Sequence, residues 1–331
     1  MRAVRLHAAK DLRVETIDPP AAPAPDEVTL EVTAAGICGS DLHNYATGAW
    51  ISRAPSVAGH EFTGIITATG HGVSHVAVGD RVIVDSRHTC CTCAPCRAGR
   101  SQVCDTLGFL GEVIDGGFAT AVTLPARNVM RATPGVPDRH LAMAEPISVA
   151  LHALRRVDAP AHSAVLVTGC GPIGGLVALL ARRTGHEVSV VDRNATRASL
   201  VAKTISGTVV TLEEAAARGF RHAIDTTGNS AVIAALVEAI DGCGRLALVG
   251  IGRAMPVIDP IKLVEREITL LGCHAFGDEL AEVNTLLPAL GPALDAFIAE
   301  EITLEAVPDA YTRHLAGQVD GLKTIIRCKE D

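Results

Sequence analysis

The chain has 331 residues, more than one hydrophobic core usually supports, so we expect two domains. Apolar residues make up 48% of the sequence and charged residues 20%, a balance that excludes a disordered chain. The formal net charge of -8 excludes a basic footprint for nucleic acid or for an anionic membrane surface, which leaves a small molecule as the expected partner.

The sequence carries no targeting or membrane signal. Its first ten residues lack the apolar core of a signal peptide, and no stretch reaches the roughly 18 apolar residues that a membrane span needs. We therefore expect a cytoplasmic protein. Five of the ten cysteines fall between residues 90 and 104, and such clustering in a reducing compartment favours metal ligation over disulfides.

The N-terminal part, to about residue 125, consists of short β-type runs broken by glycine and proline. This pattern predicts a β-rich, partly open barrel. The predicted strands are 28–33, 64–69, 81–85 and 118–124.

A βαβ series begins at residue 164, where an apolar strand precedes glycines and a helical pattern. Strands that alternate with helices predict a parallel, doubly wound sheet. The predicted strands are 164–168, 187–192, 223–225, 245–250 and 268–272, and the predicted helices are 173–183, 195–204 and 230–240. The last stretch is predicted to form a helix over 279–290 and a strand over 323–328, and to fold back onto the first domain.

Four cysteines form a C-x2-C-x2-C-x7-C array: Cys90, Cys93, Cys96 and Cys104. Four thiolates on a tightly turning loop supply the closed tetrahedral site that a structural zinc ion prefers. Zinc would also stabilise a loop that is poor in apolar residues. Cys91 lies inside the array, but only Cys90 keeps the regular three-residue step, so we predict Cys90 as the ligand.

Three other segments bring together residue types that bind metals: 36–43 (GICGSDLH), 59–61 (GHE) and 79–82 (GDRV). With the cysteine lobe after them, they resemble the zinc-containing medium-chain alcohol dehydrogenases. The resemblance covers essentially the whole chain, because a dinucleotide-binding half follows. Residues 144–153 (AEPISVALHA) are similar to the polyol, idonate and threonine dehydrogenases, which have a glutamate where alcohol dehydrogenases have a cysteine.

The resemblance implies an α/β fold with a GroES-like β-rich catalytic domain and a Rossmann coenzyme domain built on a doubly wound parallel sheet. The implied boundaries are 1–150 for the catalytic domain, with a zinc-binding lobe at 88–105, and 151–275 for the NAD-binding domain. Residues 276–331 are then a return to the catalytic domain.

The resemblance also implies a catalytic zinc site with Cys38, His60 and Glu61 as ligands. Glu145 is implied as a fourth ligand or a water-mediated one, and the sequence does not choose between these roles. Such a mixed shell leaves a position open, where zinc can act as a Lewis acid that lowers the pKa of an alcohol. Taken singly, each residue has a structural explanation, with Glu145 as a surface carboxylate at a helix start, but their combination favours the metal site.

Ser40 and His43 follow Cys38 where family members place a proton relay. A hydroxyl can donate and accept a proton at once, and histidine titrates near neutral pH. The structural alternatives are a turn residue after Gly39 for Ser40 and a solvated loop side chain for His43.

A strand followed by G-x-G-x-x-G at the start of a helix predicts a dinucleotide site, and Asp192 ends the next strand. The pyrophosphate would lie at the helix N-terminus, and Asp192 would accept hydrogen bonds from the adenosine ribose. Asp192 favours NAD over NADP, although Arg193 and Arg197 could attract a 2′-phosphate. The residues predicted to bind the dinucleotide are Gly169, Gly171, Pro172, Ile173, Gly174, Asp192, Arg193, Arg197, Thr226, Val249, Gly250 and Ile251.

These motifs together predict an enzyme with two zinc ions that transfers a hydride from a secondary alcohol of a small polyol or sugar acid, such as sorbitol or L-idonate, to NAD. The alternatives are a vicinal-diol dehydrogenase acting on butanediol, an L-threonine dehydrogenase, or a non-catalytic nucleotide-binding relative. Candidate substrate contacts are Trp50, Phe109 and His274. The resemblance implies a homodimer or homotetramer, joined through the sheet edge near 268–271.

Overall fold

The computed structural model describes residues 1–252 and 254–329. Its N-terminal part is rich in β-structure and forms three sheets, of seven, three and two strands. In chain order the elements are β1 Arg2–Ala8, β2 Asp11–Thr16, β3 Glu27–Gly36, α1 Gly39–Thr47, β4 Ser56–Val57, β5 Glu61–Thr69, β6 Arg81–Val84, β7 Arg87–His88, α2 Ala94–Arg97, β8 Gly108–Phe109, β9 Ala121–Pro125, β10 Val129–Arg131, α3 Asp138–Leu141 and α4 Ala144–Val157, with 3₁₀ turns at Ser101–Val103 and Ala126–Asn128.

The middle of the chain forms a parallel sheet of six strands flanked by helices. Its elements are β11 Ala164–Thr168, α5 Pro172–Arg183, β12 Glu187–Val191, α6 Ala195–Ile205, β13 Thr208–Val209, α7 Leu212–Arg218, β14 His222–Asp225, α8 Ser230–Ala239, β15 Arg245–Leu248, α9 Pro260–Glu265 and β16 Thr269–Gly272. The spatial order β13-β12-β11-β14-β15-β16 is the 3-2-1-4-5-6 order of dinucleotide-binding sheets. The predicted doubly wound sheet is therefore confirmed.

Side-chain caps fix where several of these helices begin. Asn194 accepts a hydrogen bond from the third residue of α6, Thr211 does the same for α7, and Asn229 caps α8. Strand β11, in the middle of the parallel sheet, is buried from its second residue onward, as expected for a strand covered by helices on both faces.

The chain ends in the first sheet. The remaining elements are α10 Glu279–Phe297, β17 Ile298–Thr303, a 3₁₀ turn at Leu304–Ala306, α11 Val307–Leu315 and β18 Lys323–Arg327. Strand β18 pairs antiparallel with β3, so the seven-stranded sheet runs β10-β6-β5-β3-β18-β17, with β9 also paired to β3. This pairing places the C-terminal strand beside the end of β3, on the side away from β5.

Helix α10 is longer than predicted. The sequence placed its end at Leu290, and this prediction was wrong, because the helix continues to Phe297 through Pro288 and Pro292. Leu290, Leu294 and Phe297 recur on one face and are buried. Burial of this apolar face outweighs the backbone hydrogen bonds that the prolines remove.

The strand predicted over 118–124 begins only at Ala121. Phe118 is bonded on both sides, since its N–H donates to the carbonyl of Ala58 and its carbonyl accepts from Val4, but these partners do not belong to the neighbours of β9. Strands β1 and β2 lie outside the predicted strands altogether.

Two large hydrophobic clusters hold the molecule together. One lies inside the β-rich part, and the larger one joins the parallel sheet to α4, α5 and α10. Within the described ranges, no helix is both long enough and apolar enough to cross a membrane.

Candidate active site and metal centres

The first candidate metal site lies where β3 ends and β5 begins. Antiparallel pairing places Gly36 opposite Glu61, so the turn after β3 and the start of β5 share one end of the sheet. One ligand atom each from Cys38, His60 and Glu61 lies within 4.8 Å of the others. His60 and Glu61 are buried and Cys38 is partly buried. A thiolate, an imidazole and a carboxylate at this spacing fit a zinc ion that keeps one position open.

Asp41, which the sequence analysis missed, contacts the His60 side chain and the Cys38 backbone. Its Oδ2 accepts a hydrogen bond from the Cys38 backbone N–H at 2.9 Å, and its Oδ1 lies 3.3 Å from His60 Nδ1. This leaves His60 Nε2 for the cluster. Burial alone would lower the pKa of His60, but the charges of Asp41 and Cys38 outweigh it and hold the pKa well above its usual value. The sequence feature that could have identified Asp41 is an acidic residue at the third position of α1.

Lys323 of β18 supplies a buried counter-charge to Glu61. Its Nζ pairs with Glu61 Oε2 and donates to the carbonyl of Ile37 at 2.9 Å, and both charged side chains are 1% exposed. Burial would lower the pKa of Lys323, but the Glu61 carboxylate raises it above its usual value. At Gly36 a Cβ would lie 2.5 Å from Glu61 Oε2, so any larger residue there would displace this pair.

Glu145, in the first turn of α4, lies beside the cluster and outside the group whose ligand atoms are all within 4.8 Å. Its Oε1 accepts a hydrogen bond from Ser86 Oγ at 2.8 Å. Burial raises the pKa of Glu145 to about 7, with the Glu61 charge adding to the shift and His60 opposing it. The side chain is buried, which rules out the alternative of a surface carboxylate.

The four predicted cysteines form the second cluster. Sulfur atoms of Cys90, Cys93, Cys96 and Cys104 all lie within 4.8 Å of one another. The Cys104 sulfur is 3.5 Å from that of Cys90 and 3.8 Å from that of Cys93. Zn–S bonds of about 2.3 Å give a tetrahedron with S–S edges of about 3.8 Å, so the spacing fits zinc. The backbone amides of Thr92 and Cys93 donate to the Cys90 sulfur and lower the pKa of its thiol to about 5.

The cysteine lobe is attached to the segment that follows β16. The buried Arg87 donates to the Phe276 carbonyl at 2.5 Å and to Ser101 Oγ at 3.0 Å, and its guanidinium lies 4.2 Å from the centre of the Phe276 ring. His274 Nδ1 lies 2.9 Å from the carbonyl oxygen of Gln102. Cys91 is exposed and is not one of the four clustered cysteines.

The candidate relay and substrate residues surround the first cluster. Ser40 Oγ lies 3.4 Å from His60 Nε2. The His43 and Trp50 rings are 4.5 Å apart, centre to centre. The Phe109 ring centre is 6.3 Å from that of His60 and 6.0 Å from that of His274. The fold therefore brings these predicted residues, distant in sequence, to one end of the β-rich part.

The glycine-rich turn joins β11 to α5 as predicted. Gly171 is the residue before the helix, and Pro172 and Ile173 form its first turn. Gly169 has φ 90°, a left-handed conformation that favours glycine. At Gly174 a Cβ would lie 1.7 Å from the carbonyl oxygen of Gly169, so close packing of helix on turn requires glycine there.

Asp192 follows β12 and reaches across to this turn. Its Oδ2 accepts from the Cys170 N–H at 2.5 Å and its Oδ1 from the Asn194 N–H at 2.7 Å. The Thr226 hydroxyl donates to the carbonyl of Gly169 at 3.1 Å. Thr226 thus supports the turn itself.

The other predicted dinucleotide contacts lie at the same edge. Arg193 is exposed. Arg197 donates through Nη2 to the carbonyl of Val319 at 3.4 Å. Val249, Gly250 and Ile251 follow β15, and Ile251 is 64% exposed.

A dinucleotide-type sheet beside a mixed thiolate, imidazole and carboxylate cluster defines the class of metal-dependent nicotinamide dehydrogenases. Residues 24–137 match the alcohol dehydrogenase GroES-like domain family, and residues 172–290 match the zinc-binding dehydrogenase family. The chain belongs to the zinc-binding alcohol dehydrogenase family and is an oxidoreductase. The expected GroES-like and Rossmann combination is confirmed.

The chain is similar over most of its length to several characterised dehydrogenases. It is 30% identical over 324 residues to 2-dehydro-3-deoxy-L-galactonate 5-dehydrogenase of Pseudoalteromonas atlantica, with 94% of each chain covered. It is 32% identical to L-threonine 3-dehydrogenase of Deinococcus radiodurans, with 89% of each covered. Sorbitol dehydrogenase of Bacillus subtilis is 28% identical, with 98% of this chain and 97% of the relative covered.

Solved structures give the same family. The chain superposes on an Escherichia coli CFT073 structure titled a short chain alcohol dehydrogenase complexed with NADH, with TM-score 0.91, 27% identity and 99% of each chain covered. It superposes on 2R,3R-butanediol dehydrogenase of Bacillus subtilis with TM-score 0.90 and 27% identity, covering 98% of this chain and 99% of the other.

The two cysteine-containing clusters predict about two zinc ions per chain, one closed and one exchangeable. Replacing Cys93 by Ser should lower the melting temperature, because it opens the closed site. Replacing Cys38 by Ser should mainly abolish turnover. Elemental analysis and thermal unfolding of both variants check this, and one zinc or none in active protein, or equal losses of stability, would contradict it.

Proposed function

We propose that the protein oxidises a secondary alcohol of a small polyol or sugar acid and passes the hydride to NAD. The observation that carries this is the meeting of Cys38, His60 and Glu61 at one end of the first sheet, with buried Glu145 beside them. The non-catalytic alternative loses support, because such a relative has no need for an open metal position.

Different residues would bind the metal, orient its ligands and carry the alcohol proton. A zinc ion held by Cys38, His60 and Glu61 would supply Lewis acidity that lowers the pKa of the alcohol. Asp41 holds His60 through Nδ1, and Ser40 lies next to the Nε2 side, where its hydroxyl can take the alcohol proton. We assign His43 as the next carrier toward solvent.

The nucleotide turn supports NAD as the coenzyme. Its N–H groups at the start of α5 suit a pyrophosphate. The carboxylate of Asp192 is held at the end of β12 by two backbone N–H groups, where it can accept from ribose hydroxyls and repel a 2′-phosphate. A zinc-binding dehydrogenase of Sinorhizobium meliloti with a similar structure binds NADP, and the activity ratio with the two coenzymes distinguishes the two cases.

The substrate class rests on similarity and on the polar cluster. Relatives act, by their names, on sorbitol and on a sugar acid, which supports the polyol or sugar-acid proposal. The second candidate is a diol or an amino alcohol, favoured by the butanediol and L-threonine dehydrogenases among the similar proteins.

We also propose a homodimer or homotetramer joined through the edge of the parallel sheet. Strand β16 is the edge strand, with its backbone open on one side. Apolar side chains in the segment that precedes it in sequence are exposed, with Met255 at 89%, Val257 at 90% and Val264 at 77%. Exposed apolar side chains and an open edge strand together favour an interface between copies.

A substrate panel tests the proposed activity. Zinc-loaded protein and NAD are mixed with sorbitol, L-idonate, 2,3-butanediol or L-threonine, and NADH formation is followed. We expect turnover of sorbitol or L-idonate, with loss of activity in Cys38→Ser, whereas turnover of 2,3-butanediol or L-threonine alone would favour the second candidate. Absence of NADH formation with every member of the panel would refute the proposal.

Changing Asp192 tests the coenzyme. Asp192→Ala should narrow or reverse the preference for NAD, because Arg193 and Arg197 then meet no opposing charge. Asp192→Asn is the matched control, since it keeps an oxygen for the Cys170 N–H. The ratio of kcat/KM with NAD and NADP is the readout, and higher wild-type activity with NADP would contradict the assignment.

Changing Ser40 tests the relay. Ser40→Ala should slow turnover by about 10²- to 10⁴-fold, typical of a lost general acid–base step, while zinc and NAD stay bound. Ser40→Thr, which restores a hydroxyl, should recover part of the rate. His43→Ala should cost less, because water can replace an outer carrier.

The pH profile at saturating NAD separates these roles. The wild-type rate should fall toward acid pH, where loss of the alcohol proton is opposed, and the profile should change shape in His43→Ala. Unaltered rates and profiles in both variants would leave Ser40 and His43 as turn and loop residues.

A further inference from the structure

A carboxylate with no assigned role lies in the turn that follows β8. The Glu112 N–H donates to the Phe109 carbonyl at 3.1 Å, and its own carbonyl accepts from Ser52 Oγ at 2.9 Å. In the same turn Gly111 faces Gly59, since a Cβ at Gly111 would lie 2.9 Å from the Gly59 nitrogen. The turn is therefore fixed against the residue that precedes His60, and Phe109, the last residue of β8, borders the His60 ring.

The Glu112 side chain is partly buried. Burial raises the pKa of Glu112 to about 7, while the His60 charge lowers it and the Asp41 charge raises it. Among residues 1–252 and 254–329, no side chain forms an ion pair or a hydrogen bond with this carboxyl.

Arg53, which follows the Ser52 that donates to the Glu112 carbonyl, is already engaged. Arg53 pairs with Asp115 at 2.5 Å, and the same Asp115 oxygen accepts from the Val57 N–H at 2.9 Å. That pair holds the other end of the turn. Among the described residues, the Glu112 carboxyl thus has no cation paired with it, and an unpaired carboxylate attracts hydrogen-bond donors and repels anions.

We propose that Glu112 is a specificity-determining residue, which accepts a hydrogen bond from a hydroxyl or ammonium group of the substrate and repels a carboxylate or phosphate. This inference rests on the proposed function and narrows it. The substrates are neutral polyols and diols or amino alcohols, and sugar acids are disfavoured. A polar group that is left without a hydrogen-bond partner costs more free energy than a missing contact does. One side chain can therefore discriminate between two substrates.

Matched substrate pairs test this assignment. Sorbitol and gluconate differ at one end only, by a hydroxyl against a carboxylate, and 1,2-propanediol and 1-amino-2-propanol compare a hydroxyl with an ammonium. In wild-type protein kcat/KM should favour sorbitol over gluconate by at least about tenfold. Glu112→Gln should shrink that ratio about tenfold, and Glu112→Lys should reverse it. The pair of C3 substrates shows whether Glu112 prefers ammonium to hydroxyl.

Glu187→Gln is the matched control, because it removes one exposed acid at the opposite end of the parallel sheet and should leave the ratio unchanged. Preference for gluconate in wild type, or an unchanged ratio in Glu112→Gln, overturns the role of Glu112 and leaves the dehydrogenase proposal standing. If none of these substrates is turned over, shifts in melting temperature of the zinc- and NADH-loaded protein with each ligand decide the same comparison. Equal shifts in wild type and Glu112→Gln then overturn it.

Discussion

The arrangement of the candidate active site depends on one buried ion pair between opposite ends of the chain. Lys323 and Glu61 are almost fully buried, and two charges removed from water are tolerated only while they stay paired and hydrogen-bonded. The pair fixes β18 and β5 on either side of β3. This register brings the turn with Cys38 next to His60, so the site is complete only when the C-terminal strand has joined the first sheet.

The two cysteine-containing clusters differ in their ligand types, as closed and open zinc sites do. The four-cysteine lobe is closed by its own thiolates and is anchored through Arg87 to Phe276, in the segment that leaves the parallel sheet. The other cluster has one thiolate, one imidazole and the Glu61 carboxylate, and two further acids, Asp41 and Glu145, act on it from outside. One site stabilises the lobe and its contact with the segment after β16, while the other can exchange water for substrate.

Local motifs carried most of what the sequence could predict. The zinc lobe and the dinucleotide turn from Gly169 to Gly174 could each be predicted from a few neighbouring residues. The parallel sheet could be predicted from the regular alternation of strands and helices. The partners that position the site could not be found this way, because Lys323 reaches Glu61 only through strand pairing and Ser86 reaches Glu145 only through the packing of α4 on the β-rich part. The end of α10 was predicted too early for a related reason. Prolines usually end a helix, whereas burial of Leu294 and Phe297 depends on the tertiary fold, which the sequence pattern does not show.

The most direct test of two distinct zinc centres is zinc-edge X-ray absorption of the loaded protein. One four-thiolate site and one single-thiolate site predict an average of about 2.5 sulfur ligands per zinc at about 2.3 Å, with nitrogen and oxygen for the rest. In Cys38→Ser that average should fall to about 2 if both ions remain bound. An average of about 4 sulfurs in wild type, or no change in Cys38→Ser, would contradict a catalytic zinc held by Cys38.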